Sequence, residues 1–160
     1  MTAATERDIR APLRVTLERM EPRHFPQVMA IERASFPDPW ARVAFERETT
    51  NTFSRPIVAV DEDGDVVGYL IYWVAGPEYH VLNIAVRTDA QRRGVARAMM
   101  NNVIADALRD RADYVALEVR ASNVPAKTLY ARYGFVTVGI RPRYYKNSED
   151  AEVMLLHLRT

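Results

Sequence analysis

The sequence predicts a mixed α/β fold in which a central mixed sheet of about seven strands is flanked by about four helices. Short apolar or alternating runs of strand length recur along the chain, and four longer segments have the character of helices. Turn and cap residues separate these segments. The resulting order, β-α-α-β-β-β-α-β-α-β-β, is typical of a mixed sheet that carries helices on both faces.

The first part of the chain is predicted to contain one strand and two helices. Residues 15–20 alternate and indicate a strand. A helix is expected over residues 25–35, where Pro26 is acceptable because it falls in the first turn. We expect the inner side of this helix to carry Val28, Met29, Ile31 and Ser35. The two prolines of residues 36–40 end the helix, and a second short helix covers about residues 41–49.

The middle of the chain is predicted to contain three consecutive strands. Residues 57–60 and 66–74 flank an Asp-Gly turn at residues 61–65, which is a strong hairpin signal. A Gly-Pro turn at residues 76–77 precedes the third strand, which covers residues 79–86. These strands lead into the segment that carries the first functional motif.

The last part of the chain is predicted to alternate helix and strand. Residues 94–111 space their apolar positions as an amphipathic helix does. The mostly apolar run at residues 114–119 suits a strand covered on both faces. Asn123 is a candidate N-cap of the next helix, and Gly134 is a candidate C-terminal glycine. The last two strands are expected at residues 135–143 and 152–158.

Length and composition indicate an ordinary globular protein. A chain of 160 residues is long enough for one domain with a substantial core, which we place over residues 13–160 after a disordered lead-in of residues 1–12. The formal net charge of +1 indicates no bias towards nucleic acid or membranes. No apolar run approaches the roughly 20 residues of a membrane span. We therefore expect neither nucleic acid nor membrane as a direct partner.

Cysteine and histidine usage limits the chemistry. The chain has no cysteine, which removes an acyl-cysteine intermediate and fits a cytoplasmic location. Its three histidines, His24, His80 and His157, are far apart in sequence. Surface or core histidines are therefore expected rather than a metal site.

A loop after the third middle strand indicates phosphate binding. Residues 83–86 end an apolar run, and Gln91 begins a loop that enters the long helix at Gly94. The N-terminus of a helix offers unsatisfied N–H groups and partial positive charge, so it attracts phosphate. Gly94 has no Cβ and allows close approach. Arg92, Arg93 and Arg97 add charge around the loop, although a helix entry with a solvated arginine face would have the same pattern.

Three motifs relate this pattern to a known family. Residues 91–96 have the form Gln/Arg-x-x-Gly-x-Gly/Ala, which resembles the coenzyme A pyrophosphate loop of the GNAT N-acetyltransferases. Residues 117–123, Leu-Glu-Val-Arg-Ala-Ser-Asn, together with Leu129-Tyr130 and Tyr133-Gly134-Phe135, resemble the RimI-type protein N-terminal acetyltransferases. Residues 141–145 are similar to the Arg-rich, Tyr-Tyr strand of that group. The resemblance implies a GNAT fold with a mostly antiparallel sheet.

The resemblance also implies a co-substrate, acetyl-CoA, and the residues that would hold it. These residues are Ile84, Ala85, Val86, Arg92, Arg93, Gly94, Val95, Ala96, Arg97 and Asn123. Asn123 would bond the pantetheine arm, although N-capping alone also explains it. The loop departs from the common pattern at Ala96, at residues 87–89 and at Ala90, where an aromatic residue is frequent. These departures concern the affinity for acetyl-CoA and not its identity.

By the same resemblance, Glu118 is the general base and Tyr130 the general acid. The alternatives are that Glu118 pairs structurally with Arg120 or another arginine, and that Tyr130 is a core residue. Candidates for acceptor binding are Trp40, Tyr144 and Tyr145, which are otherwise explained as core aromatic residues.

The implied activity is transfer of the acetyl group to the N-terminal alanine of ribosomal protein S18, by direct attack of the α-amine without a covalent acyl-enzyme. An acetyltransferase of lysine side chains or of small amines, and a non-catalytic acyl-CoA-binding module, remain as alternatives. The arginines at 92, 93, 97 and in residues 141–146 also allow an RNA-binding surface, which the net charge disfavours.

Overall fold

The computed structural model describes residues 10–159, which form seven strands and four α-helices. The expectation of disorder for residues 1–9 lies outside these residues. The elements are β1 (Thr16–Arg19), α1 (Phe25–Ser35), α2 (Arg42–Thr50), β2 (Ser54–Val60), β3 (Val66–Ala75), β4 (Glu78–Val86), α3 (Val95–Arg109), β5 (Tyr114–Arg120), α4 (Val124–Tyr133), β6 (Val136–Arg141) and β7 (Ala151–His157). This order confirms the predicted fold class.

The strands form one mixed sheet in the order β1-β2-β3-β4-β5-β7-β6. The pairs β1–β2, β5–β7 and β6–β7 are antiparallel, whereas β4 and β5 run parallel with Val81 opposite Leu117. Parallel neighbours need a crossover, and α3 lies in the connection between β4 and β5. The hairpin of β6 and β7 contains an irregularity between Thr137 and Gly139.

Local signals explain how α4 begins and ends. The Asn123 side chain accepts a hydrogen bond from the Ala126 N–H at 3.2 Å, so Asn123 is the predicted N-cap. Gly134 follows the helix with a φ of 99°, a left-handed conformation that favours glycine. The helix therefore holds Tyr130 in its last turn.

Three predicted features were wrong in detail. The inner side of α1 carries buried Glu32, whereas Ser35 is exposed, because the helix turns its later residues towards solvent. β2 begins at Ser54 rather than at residue 57, and the Met20 N–H donates to the Pro56 carbonyl at 2.9 Å, so backbone pairing continues beyond Ile57. β6 ends at Arg141 because the chain then turns.

The described residues group into two compact units. The first comprises residues up to Ile71 and Asn83–Val103, and its fully buried side chains include those of Phe25, Phe45 and Tyr69. The second comprises Tyr72–Leu82 and the residues from Ile104 onwards, in which the Tyr72 and Tyr79 rings stack at 5.8 Å between centroids. The single domain over residues 13–160 stays a prediction. No helix within residues 10–159 is both long and apolar enough to cross a membrane.

Candidate active site

Strand β5 presents Glu118 on the accessible face of the second unit. Burial alternates along the strand: Val115, Leu117 and Val119 are buried, and the residues between them are half-buried. The expectation that both faces of this strand are fully covered was therefore wrong, because the face that bears Glu118 keeps contact with solvent. The Glu118 side chain is 14% exposed, which suits a carboxylate that must meet a substrate.

Two basic side chains approach the Glu118 carboxylate. His80 Nε2 lies 2.7 Å from Oε2, and Arg141 Nε lies 3.6 Å from Oε1. The hydrogen bond with His80 is the largest influence on Glu118 and outweighs the burial that opposes it, so the pKa of Glu118 falls below its usual value, with Arg141 lowering it further. Glu118 is therefore ionised at neutral pH and available to accept a proton.

His80 is a functional candidate that sequence reasoning missed. It lies on β4, where the parallel register places it opposite Ala116 of β5. Because the alanine side chain is small, the imidazole reaches Glu118, two residues further along β5. The sequence carried no signal for this contact, since the two residues are 38 positions apart and meet only through strand pairing.

Arg120 organises the loop between β6 and β7. Its guanidinium bonds Glu149 at 3.2 Å and lies 3.9 Å from the centre of the Tyr145 ring. Glu149 also accepts a hydrogen bond from the Ser122 N–H at 2.9 Å, which ties the loop to the end of β5. The arginine on the strand of Glu118 thus supports the neighbouring loop.

Tyr144 and Tyr145 lie in this loop and not in a strand, contrary to the strand suggested by resemblance. Pro142 follows β6, and Arg143 adopts a left-handed φ of 50°, so the chain turns before both tyrosines. The two rings meet edge to face at 5.2 Å, and Arg141 lies 5.6 Å from the Tyr144 ring centre. Tyr144 is exposed, while burial raises the pKa of Tyr145 to about 12.

Tyr130 is buried to 5% exposure, and its ring packs against Phe135 at 5.8 Å. Its hydroxyl makes no hydrogen bond within residues 10–159. Burial, and then the nearby Tyr145, raise the pKa of Tyr130 and keep the phenol protonated.

The loop that precedes α3 lies in the first unit. Arg92 and Gly94 both have left-handed backbones, with φ of 59° and 85°. A non-glycine residue in this conformation is uncommon and marks a turn that the surroundings impose. Arg93 Nε donates to the Ala11 carbonyl at 2.9 Å, so its side chain holds the N-terminal segment against the loop.

Backbone amides and open space meet at the start of α3. The first i→i−4 hydrogen bond of α3 runs from the Ala98 N–H to the Gly94 carbonyl at 3.0 Å. The backbone N–H groups of Val95 and Ala96 precede it and therefore take no part in the hydrogen bonds of the helix. A Cβ added at Gly94 would meet no protein atom within 4 Å. The glycine therefore faces open space that a ligand can enter, and Arg97 is exposed on the next turn.

Strand β4 leads into this loop through Ile84, Ala85 and Val86, of which Ala85 is buried and its two neighbours half-buried. The Gln91 side-chain amide donates to the Val86 carbonyl at 3.2 Å, so the end of the strand and the start of the loop are joined.

Trp40, also in the first unit, follows the prolines after α1. Its backbone N–H donates to the buried Glu32 carboxylate at 2.8 Å, and the centroid of its ring lies 5.3 Å from that of Phe45. Glu32 also accepts hydrogen bonds from the Tyr69 hydroxyl and from Asn83 Nδ2. Sequence reasoning missed this buried cluster. No cluster of three or more His, Cys, Asp or Glu side chains within residues 10–159 could hold a metal ion.

Comparison with known proteins identifies the class. The family model for the acetyltransferase (GNAT) family matches residues 25–135. The chain belongs to this family; it is an acetyl-CoA-dependent acetyltransferase, and acetyl-CoA is its co-substrate.

Individual relatives narrow the similarity to RimI-like proteins. The chain is 31% identical over 144 residues to the "[Ribosomal protein bS18]-alanine N-acetyltransferase" of Escherichia coli (strain K12), covering 88% of this chain and 96% of the relative. It is 30% identical over 142 residues to the "N-alpha-acetyltransferase" of Sulfolobus acidocaldarius, covering 80% and 83%. The crystal structure of the ribosomal-protein-S18-alanine N-acetyltransferase from Escherichia coli matches with a TM-score of 0.83 and 29% identity, over 92% of this chain and 96% of that one.

Proposed function

We propose that this acetyltransferase modifies the N-terminal α-amine of a protein in the cytoplasm, and that the acceptor is the N-terminal alanine of ribosomal protein S18. The names of its relatives support an α-amine acceptor. The observation that carries the proposal is the Glu118 carboxylate, which is ionised, partly accessible and flanked by His80 and Arg141.

The electrostatics of Glu118 favour an α-amine over a lysine. A carboxylate whose pKa is lowered is a weak base, so the acceptor must be easy to deprotonate. An α-amine with a pKa of about 7.8 costs roughly 1 kcal/mol to deprotonate at pH 7, whereas a lysine with a pKa of about 10.4 costs roughly 4.6 kcal/mol. A weak base therefore suffices for an N-terminus.

The proposed catalytic roles follow from the chemistry of the side chains. Acetyl-CoA supplies the acetyl group as an activated thioester. Glu118 takes a proton from the acceptor ammonium, and the protonated hydroxyl of Tyr130 donates to the sulfur that leaves. A backbone N–H among Ile84, Ala85 and Val86 faces the carbonyl oxygen and stabilises the charge that develops there.

Binding roles are proposed for the remaining candidates. The amides of residues 92–97 hold the pyrophosphate together with the exposed arginines. Asn123 contributes to the pantetheine arm while its side chain caps α4. Trp40, Tyr144 and Tyr145 contact the acceptor peptide, for which the half-buried ring of Trp40 and the exposed ring of Tyr144 are accessible.

A peptide assay tests the acceptor. A synthetic peptide that begins with the N-terminal residues of S18 should become acetylated, and the same peptide with a blocked N-terminus should not. Equal modification of a lysine in the blocked peptide, or turnover of a small amine with neither peptide, would refute the N-terminal proposal. Mass spectrometry of protein N-termini from cells with and without the protein then tests S18 itself against other acceptors.

A further inference from the structure

We propose that His80 is the positioning residue of this enzyme, which fixes one oxygen of Glu118 and thereby presents the other to the acceptor amine. The inference rests on the proposed function, because it takes Glu118 as the base. Neither the residue pattern nor the resemblance to a family assigned a role to His80.

The contact itself defines the direction of the hydrogen bond. His80 Nε2 and Glu118 Oε2 are 2.7 Å apart, which is the length of a charge-assisted bond. An ionised carboxylate can only accept, so Nε2 carries the proton and donates it. The His80 side chain is 35% exposed, and it makes no other hydrogen bond or ion pair within residues 10–159.

The two carboxylate oxygens consequently have different neighbours. Oε2 is held by His80 from β4, and Oε1 lies 3.6 Å from Arg141 of β6. The 3.6 Å from Arg141 Nε to Oε1 is longer than a hydrogen bond, so Arg141 leaves the capacity of Oε1 to accept a proton unused. Among residues 10–159, Tyr145 also interacts electrostatically with Glu118. Oε1 is therefore the oxygen that an entering amine can reach.

Such orientation matters because a base must lie about 2.6–3.2 Å from the proton that it takes. The terminal torsion of a glutamate is broad, and a carboxylate without a fixed partner samples many orientations. His80 restricts that torsion from a neighbouring strand, whose position is set by the backbone ladder between β4 and β5.

The proton balance of the step leaves His80 unchanged. One N–H bond of the acceptor ammonium breaks, its electron pair stays on nitrogen for attack on the acetyl carbon, and an O–H bond forms at Oε1. The proton on Nε2 stays in place throughout. A residue with a similar N–H but without a titratable ring should therefore substitute for His80.

Three substitutions test this proposal. Glutamine at position 80 can donate an amide N–H to Oε2 but cannot titrate, asparagine carries the same amide on a shorter stem, and leucine cannot donate. We expect His80→Leu and His80→Asn to lower kcat about ten- to a hundredfold and to leave the KM for acetyl-CoA unchanged, because each loses a hydrogen bond to a charged group. His80→Gln keeps that hydrogen bond and should retain most of the wild-type kcat. His157→Gln, at the exposed end of β7, is the matched control and should equal the wild type.

A direct measurement accompanies the kinetics. The Glu118 carboxyl carbon can be followed by NMR in protein labelled at glutamate, and its resonance is assigned by its absence in Glu118→Gln. Its pKa should rise in His80→Leu and stay low in His80→Gln, because the largest influence that lowers it is lost only in the former.

The outcomes separate the two proposals. Wild-type kcat in His80→Leu would overturn the role of His80, and so would a His80→Gln variant as slow as His80→Leu, because titration of the ring would then be required. If His80→Leu does not fold, the comparison of His80→Gln with His80→Asn decides. A Glu118→Gln variant with wild-type rates, or a wild-type enzyme inactive on the S18 peptide, would instead refute the proposed function.

Discussion

Gly94→Ala tests whether the loop before α3 binds acetyl-CoA, and the chain contains a matched control. Gly94 has a φ of 85°, and Gly64, in the hairpin between β2 and β3, has a φ of 84°. An added Cβ meets no protein atom within 4 Å at either position. The two substitutions should therefore lower the free energy of unfolding by the same amount, about 1–2 kcal/mol for an alanine in the left-handed region.

The expected result is equal destabilisation with unequal binding. For a protein of this size, 1–2 kcal/mol lowers the Tm by about 2–8 °C, which calorimetry measures in both variants. Only at Gly94 does the Cβ enter the space proposed for the pyrophosphate. We expect acetyl-CoA affinity to fall at least about tenfold in Gly94→Ala, or about 1.4 kcal/mol, and to be unchanged in Gly64→Ala. Equal dissociation constants for the two variants in titration calorimetry would refute this placement.

The remaining predictions concern the proposed acid and base. Tyr130→Phe should lower kcat by about 10²–10⁴-fold while titration calorimetry shows acetyl-CoA binding intact, since only the hydroxyl is lost. Glu118→Gln should lose activity mostly at low pH and recover partly towards pH 9, where more amine is neutral, in a pH–rate profile. In urea unfolding, the wild type should have a larger free energy of unfolding than Glu118→Gln above about pH 4.5, and this difference should decline as the pH falls. The reason is that the pKa of Glu118 is lower in the folded state than in the unfolded state.

The elements of the fold could be predicted because their signals are local. Alternation and helical spacing identified the seven strands and four helices, and Asn123 and Gly134 define α4 through contacts within a few residues. The error on α1 has a physical origin as well. Glu32 was not expected inside, since a buried carboxylate needs partners, and those partners come from Trp40, Tyr69 and Asn83 elsewhere in the chain.

Residues of the candidate site could be predicted only where they belong to a recognisable sequence motif. Glu118 and Tyr130 lie in residues 117–135, which resemble a family, and the structure adds their surroundings. The partner His80 depends on the register between β4 and β5, which no pattern in either strand specifies. The resemblance alone associated Tyr144 and Tyr145 with a strand, and the turn before them has no glycine to mark it, because Arg143 itself adopts the left-handed conformation.

The cluster around Glu32 gives a physical reason for the position of Trp40. A buried carboxylate, 1% exposed, is stable only if its oxygens are satisfied, and three donors from β3, β4 and the segment after α1 meet that need. Burial and the neighbouring carboxylate both raise the pKa of Tyr69, so its hydroxyl stays a donor. Because Asn83 directly precedes Ile84, the same carboxylate joins the segment proposed to meet the acceptor to the strand proposed to meet acetyl-CoA. Movement of either segment would leave a buried carboxyl oxygen of Glu32 without its hydrogen-bond donor. The free-energy cost of that loss holds both segments in one arrangement.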